Sequence, residues 1–74
     1  MARIVSRVGD AYHIKFNKSY YMVLEDKGKH LIFSSDDSGN IKKILPVGEC
    51  IGLSIDKVLN NFSSLILGGY NVNK

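Results

Sequence analysis

Between Ala2 and Leu45 the chain is written in short apolar runs separated by turn-forming residues, the pattern of an antiparallel β protein. Residues 2–8, Ala2-Arg3-Ile4-Val5-Ser6-Arg7-Val8, are rich in β-branched side chains and predict a strand. Gly9-Asp10 supplies turn chemistry. Tyr12, Ile14 and Phe16 then alternate with His13 and Lys15, which predicts a half-buried second strand and a hairpin with the first. Asn17-Lys18-Ser19 breaks the pattern. The run that follows, Tyr20-Tyr21-Met22-Val23-Leu24, is apolar at five consecutive positions and fits a short helix or a third strand equally. After the charged turn Glu25 to Lys29, His30 to Ser35 predicts a strand. Asp36 to Asn40 is a turn in which Gly39 and Asn40 both tolerate positive φ. Ile41 to Leu45 predicts the next strand, ended by Pro46.

The period changes in the last third. Ser54 is an N-cap residue, and Ile55, Val58, Leu59, Phe62, Leu65 and Ile66 recur at helical spacing, with Asp56, Lys57, Asn60, Asn61, Ser63 and Ser64 opposite. Gly68-Gly69 provides a stop. The predicted class is therefore α+β, mainly β: a small antiparallel β-barrel or sheet of four to five strands with one C-terminal amphipathic helix. Residues 1–74 make a single domain, with β hairpins over 1–45, a connector over 46–53 and the helix over 54–67. Leu65-Ile66-Leu67 leaves the far end of that helix apolar nearly all round, so the chain's own sheet or another chain has to cover it.

Length changes the picture. At 74 residues the core is thin, and a chain this short commonly draws extra stability from a disulfide, a metal or a partner. Cys50 is the only cysteine, which excludes an intrachain disulfide and a multi-thiolate zinc site, and His13 and His30 are the only histidines. Self-association, in the simplest case a homodimer, is the expected substitute. Cys50 is expected to act as a small buried hydrophobe, and the single thiol suits the cytoplasm. Polar residues interrupt the start of the chain, so a signal peptide is not expected, and no apolar run is long enough to predict a membrane span.

Charge is unevenly spread. Ten Lys or Arg face seven Asp or Glu, a net charge of +3. Arg3, Arg7, Lys15 and Lys18 stand against Asp10 alone in residues 1–18, so the whole excess lies there and the remainder is neutral. A localised positive field favours a polyanion, and nucleic acid is the commonest one in a cytoplasm. Catalysis has little to build on. There is no phosphate-binding glycine loop, no nucleophile with a base partner and no paired-carboxylate cleft, so the chain is not expected to be an enzyme and no cofactor is expected. Asp36-Asp37-Ser38-Gly39-Asn40 lacks the spaced oxygens and distal Glu of an EF-hand loop, and no metal site is expected.

The stretch Val8-Gly9-Asp10-Ala11-Tyr12-His13-Ile14-Lys15-Phe16-Asn17-Lys18, with Lys27-Gly28-Lys29 and Asp37-Ser38-Gly39-Asn40-Ile41 beyond it, resembles the swapped-hairpin β-barrels of the AbrB and MazE family. These are bacterial and archaeal transition-state regulators and antitoxins. Asp10, Ala11 and Asn17 stand where that pattern has Asn, Ser and Pro, and Tyr20 to Leu24 stands where it has a short helix. The resemblance implies two interlaced chains whose first hairpins lie side by side on DNA. It puts Arg7 and Lys15 at DNA-contacting positions and Asp10, Ala11 and His13 on the loop and strand nearest the base edges. It also implies a protein partner for the segment after the barrel.

The sequence thus predicts a small homodimeric, duplex-DNA-binding transcriptional regulator. Its nucleic-acid-binding residues are Arg3, Arg7, Asp10, His13, Lys15 and Lys18, with the C-terminal helix open to a protein partner. The alternative is a small viral or mobile-element protein that inhibits a host enzyme or defence protein by direct protein–protein binding. Salt-dependent affinity and sensitivity to loss of Arg7 and Lys15 separate the two readings.

Overall fold

The computed structural model describes residues 2–45 and 54–68. Five strands run in chain order: β1 (Arg3–Val8), β2 (Ala11–Phe16), β3 (Ser19–Asp26), β4 (Lys29–Ser35) and β5 (Ile41–Ile44). Two short helices follow, α1 (Ile55–Asn60) and α2 (Phe62–Gly68). Every strand pairs antiparallel with its sequence neighbour, and the sheet order is β1-β2-β3-β4-β5. The predicted class, α+β and mainly β, is the observed one.

Local chemistry explains the meander. The first three connections are two-residue loops, with Val8 opposite Ala11, Phe16 opposite Ser19 and Asp26 opposite Lys29. Between β3 and β4, Lys27 and Gly28 both have positive φ (53° and 80°), the backbone that matches the right-handed twist of flanking strands. The β4–β5 connection is longer and is built on Asp36. Its Oδ1 accepts from the backbone N–H of Ser38 and of Asn40, both at 2.9 Å, and its Oδ2 accepts from Asn40 Nδ2 at 2.9 Å. Gly39 completes this loop at φ +90°, where a side chain would be strained.

Tyr20 to Leu24 lies within β3. A strand flanked by neighbours on both sides, with buried side chains on each face, reads as a continuous apolar run, so its own period could not choose between helix and strand. Val23 is fully buried on one face and Met22 is 7% exposed on the other. The short helix that the swapped-hairpin pattern places here is a strand in this chain.

The helices cover one face of the sheet. Tyr12, Ile14, Phe16, Val23 and Ile32 pack with Val58, Phe62 and Leu65, while Tyr21, Leu45, Ile55, Leu59 and Ile66 close the edges of this core. The Phe62 ring sits against Phe16 (5.6 Å between centroids) and Tyr21 (5.2 Å, edge-on). Ser54 caps α1, its Oγ accepting from the backbone N–H of Lys57 at 3.3 Å.

The predicted single helix is interrupted at Asn61. The Asn61 side chain donates to the Lys57 carbonyl at 2.7 Å, the same acceptor its own N–H uses at 3.1 Å, and this competition loosens the turn. The apolar spacing runs through the break, so both pieces keep their buried side chains on the sheet. Pro46, Cys50, Gly69 and the predicted connector 46–53 lie outside the described residues. No helix among those described is long and apolar enough to cross a membrane.

Candidate nucleic-acid interface

The second face of the sheet carries Arg3, Ser6 and Val8 from β1, Ala11, His13 and Lys15 from β2, Tyr20, Met22 and Leu24 from β3, and Leu31, Phe33 and Ser35 from β4, as the cross-strand register dictates. Among the described residues no helix covers it. The β4–β5 loop folds back over part of it, where His13 Nε2–H donates to the Asp36 carbonyl at 3.2 Å and Gly39 lies near the His13 ring and the Met22 sulfur. The carbonyl can only accept, so this bond selects the Nε2-protonated tautomer.

Arg3 and Lys15 are directly opposite each other on this open face. Like charges facing across an antiparallel pair are destabilising. Neither has a carboxylate partner among the described residues. Lys15 instead holds its ammonium over the Tyr20 ring, 5.5 Å from the centroid, and the His13 ring lies 5.3 Å from the same tyrosine. Tyr20 is half-buried. Among the described residues the sheet thus brings two cations that no carboxylate neutralises beside a half-buried aromatic ring.

A groove of about 510 Å³ opens beside Tyr20 at the end of β3 and β4. Its lining holds the cations Lys18 and Lys42, the carboxylates Asp36 and Asp37, the hydroxyls of Ser19, Ser34 and Ser35, and the rings of Tyr20 and Tyr21. The Asp36 carboxyl is held below the ordinary value of 3.8, first by the Asn40 side-chain amide and then by the backbone N–H groups of Asn40 and Ser38. It is occupied in holding its own loop.

The six residues singled out from the sequence do not form one surface. Arg3, His13 and Lys15 share the open face. Arg7 pairs with Tyr12 and therefore belongs to the helix-covered side, where its guanidinium lies 4.9 Å over the Tyr12 ring and its Nε–H donates to the Gly9 carbonyl at 3.3 Å. The cause is a β-bulge between Ile4 and Ser6. In an unbroken strand Arg3 and Arg7 share a face, and the extra residue moves Arg7 to the other one. Asp10 and Lys18 occupy the turns at opposite ends of β2. His13, expected on the sequence to be exposed, is 5% exposed beneath the β4–β5 loop, its ring 5.3 Å from that of Tyr20. His30 is 2% exposed, and its Nδ1 has no hydrogen-bond partner among the described residues.

Tyr20 and Lys42 were not assigned to the site from the sequence. Tyr20 sits in an unbroken apolar run that gave no parity, and Lys42 reaches the groove only because the β4–β5 loop brings β5 back. No family model, curated protein or solved structure matches the chain.

Proposed function

We propose that this chain is a small nucleic-acid-binding protein that works through its open sheet face, with Arg3 and Lys15 attracting phosphates, Lys18 extending the positive track and Tyr20 offering a stacking surface. The observation that carries the reading is the Arg3–Lys15 cross-strand pair with no carboxylate partner among the described residues. Such a pair works against the fold unless an anion shares it. Nucleic acid supplies the anion in series, and the concentration of excess charge in residues 1–18 provides the steering field. Regulation of transcription, the role expected from the sequence, is the function class such binding would serve.

A second reading, a protein-binding inhibitor, draws support from the two outer strands. Ile4, Val5 and Val8 on β1 are 40–64% exposed, and Ile41 and Ile44 on β5 are 56% and 54% exposed. Cations on both strands, Arg3 and Arg7 on one and Lys42 and Lys43 on the other, oppose edge-to-edge pairing of identical copies.

Fluorescence anisotropy of labelled mixed-sequence DNA, titrated at several salt concentrations, tests the first reading. Affinity is expected to fall linearly in log K against log salt, and Arg3→Gln to reduce that slope by about one unit. Absence of binding at low salt overturns it and leaves the protein-binding reading.

A further inference from the structure

We infer that the nucleic acid this face takes is single-stranded, with one unpaired base stacked on Tyr20 and its flanking phosphates held by Arg3 and Lys15 on one side and Lys18 and Lys42 on the other. The inference rests on the nucleic-acid reading above and specifies its substrate.

The first argument is width. Sequence readout in duplex DNA calls for an α-helix or a two-stranded ribbon in a major groove roughly 12 Å wide. β2, which carries Lys15, is paired on both sides, and five strands at a spacing of about 4.8 Å span roughly 19 Å. Neither helix offers a substitute. Each is six or seven residues long, α1 carries Asp56 beside its single cation Lys57, and α2 carries no charge. A broad sheet face that no described helix covers suits splayed bases instead, as unstacked strands are read by aromatic side chains on a platform.

The second argument is the arrangement around Tyr20. The Lys15 ammonium over its ring acts as a placeholder, since a cation–π contact at an accessible site is weaker than stacking of a base. A base that takes the ring face frees the ammonium for the adjoining phosphate. His13, anchored by its bond to the Asp36 carbonyl, supports the ring on the β2 side. The groove of about 510 Å³ next to Tyr20 is of the roughly 300–1,000 Å³ size of a small-molecule pocket. Asp37 in its lining is an acceptor for an exocyclic amino group, and Ser19 and Ser34 are adaptable partners for sugar or base edges.

The test compares labelled oligo(dT), oligo(U) and a mixed-sequence duplex of equal length by anisotropy at low salt, with the wild-type protein, Tyr20→Phe and Tyr20→Leu. DNA and RNA strands share the stacking and phosphate chemistry, and the first two probes tell them apart. Either single strand is expected to bind at least about tenfold tighter than the duplex. Tyr20→Phe should stay within about threefold of wild type, and Tyr20→Leu should lose between about fivefold and a hundredfold on the single strand, as the loss of one stacked base implies. If Tyr20→Leu does not fold, Lys18→Gln with Lys42→Gln replaces it, with a larger expected loss on the single strand than on the duplex. Duplex binding as tight as single-strand binding, or an unchanged affinity in Tyr20→Leu, overturns the inference and leaves the nucleic-acid reading standing. Binding of none of the probes overturns both.

Discussion

If Arg3 is retained for a ligand rather than for the fold, removing its charge should make the free protein more stable. Arg3 faces Lys15 across the β1–β2 ladder and has no carboxylate to offset the repulsion among the described residues. Arg3 is exposed and Lys15 only half-buried, so the solvent dielectric governs their interaction. Two unit charges about 8 Å apart in water repel by about 0.5 kcal/mol by Coulomb's law. That lies inside the roughly 0.2–1 kcal/mol typical of cross-strand pairs. Arg3→Gln keeps most of the side-chain length and removes only the charge. At about 10 mM salt, where the screening length is about 30 Å, the variant should melt about 2–4 °C above wild type, given about 4–8 °C per kcal/mol for a domain of this size. At about 1 M salt the screening length falls to about 3 Å and the gain should vanish. Thermal melts followed by far-ultraviolet circular dichroism at the two salt concentrations give both numbers, and anisotropy on the same samples should show the variant binding nucleic acid more weakly. A low-salt melting point equal to or below that of wild type, or a gain that persists at high salt, refutes the reasoning, because Arg3 would then be held by packing and not strained by charge.

Three further outcomes follow from the fold. Phe62 is fully buried against Phe16 and Tyr21, so Phe62→Ala should cost about 3–5 kcal/mol in urea unfolding. That is a large share of the roughly 4–11 kcal/mol expected for a chain of this length, and a cost below about 1 kcal/mol would mean that the helices do not seal the sheet. Ser54→Ala removes the acceptor for the Lys57 N–H and should cost about 1 kcal/mol, with the loss of helical signal confined to 55–68. Because the folded-state pKa of Asp36 lies below 3.8, its contribution to stability is complete above that value and is lost as pH falls through the depressed pKa. Acid melts should therefore show wild type losing its advantage over Asp36→Ala below about pH 4, and an advantage that persists in acid would show that the carboxylate does not hold the loop.

The turn residues and the two periods were enough to place most elements. Tyr12, Ile14 and Phe16 announce their strand because only one of its faces meets the helices. Asp36 to Asn40 is legible as a turn because Gly39 supplies its positive φ and its hydrogen bonds are made within five residues. Ser54 and the spacing of Val58, Phe62 and Leu65 announce a helix because a helix buries one stripe. These are local rules, and the class of the fold follows from them.

What the sequence by itself determined, then, is the order of elements, the helix-covered apolar face and the location of the excess charge in residues 1–18. The tertiary structure alone decided the rest, for reasons of neighbourhood. Tyr20 to Leu24 became a strand because β2 and β4 flank it and bury side chains on each of its faces. One bulged residue in β1 separated Arg7 from Arg3 and Lys15, and alternation counted along a single strand contains no sign of where a ladder slips. His13 disappeared under a loop that begins more than twenty residues later in the chain. The candidate site, a cation pair, a tyrosine and a groove assembled from β1 to β5, is a product of register, and register is a property of pairs of strands rather than of any one of them.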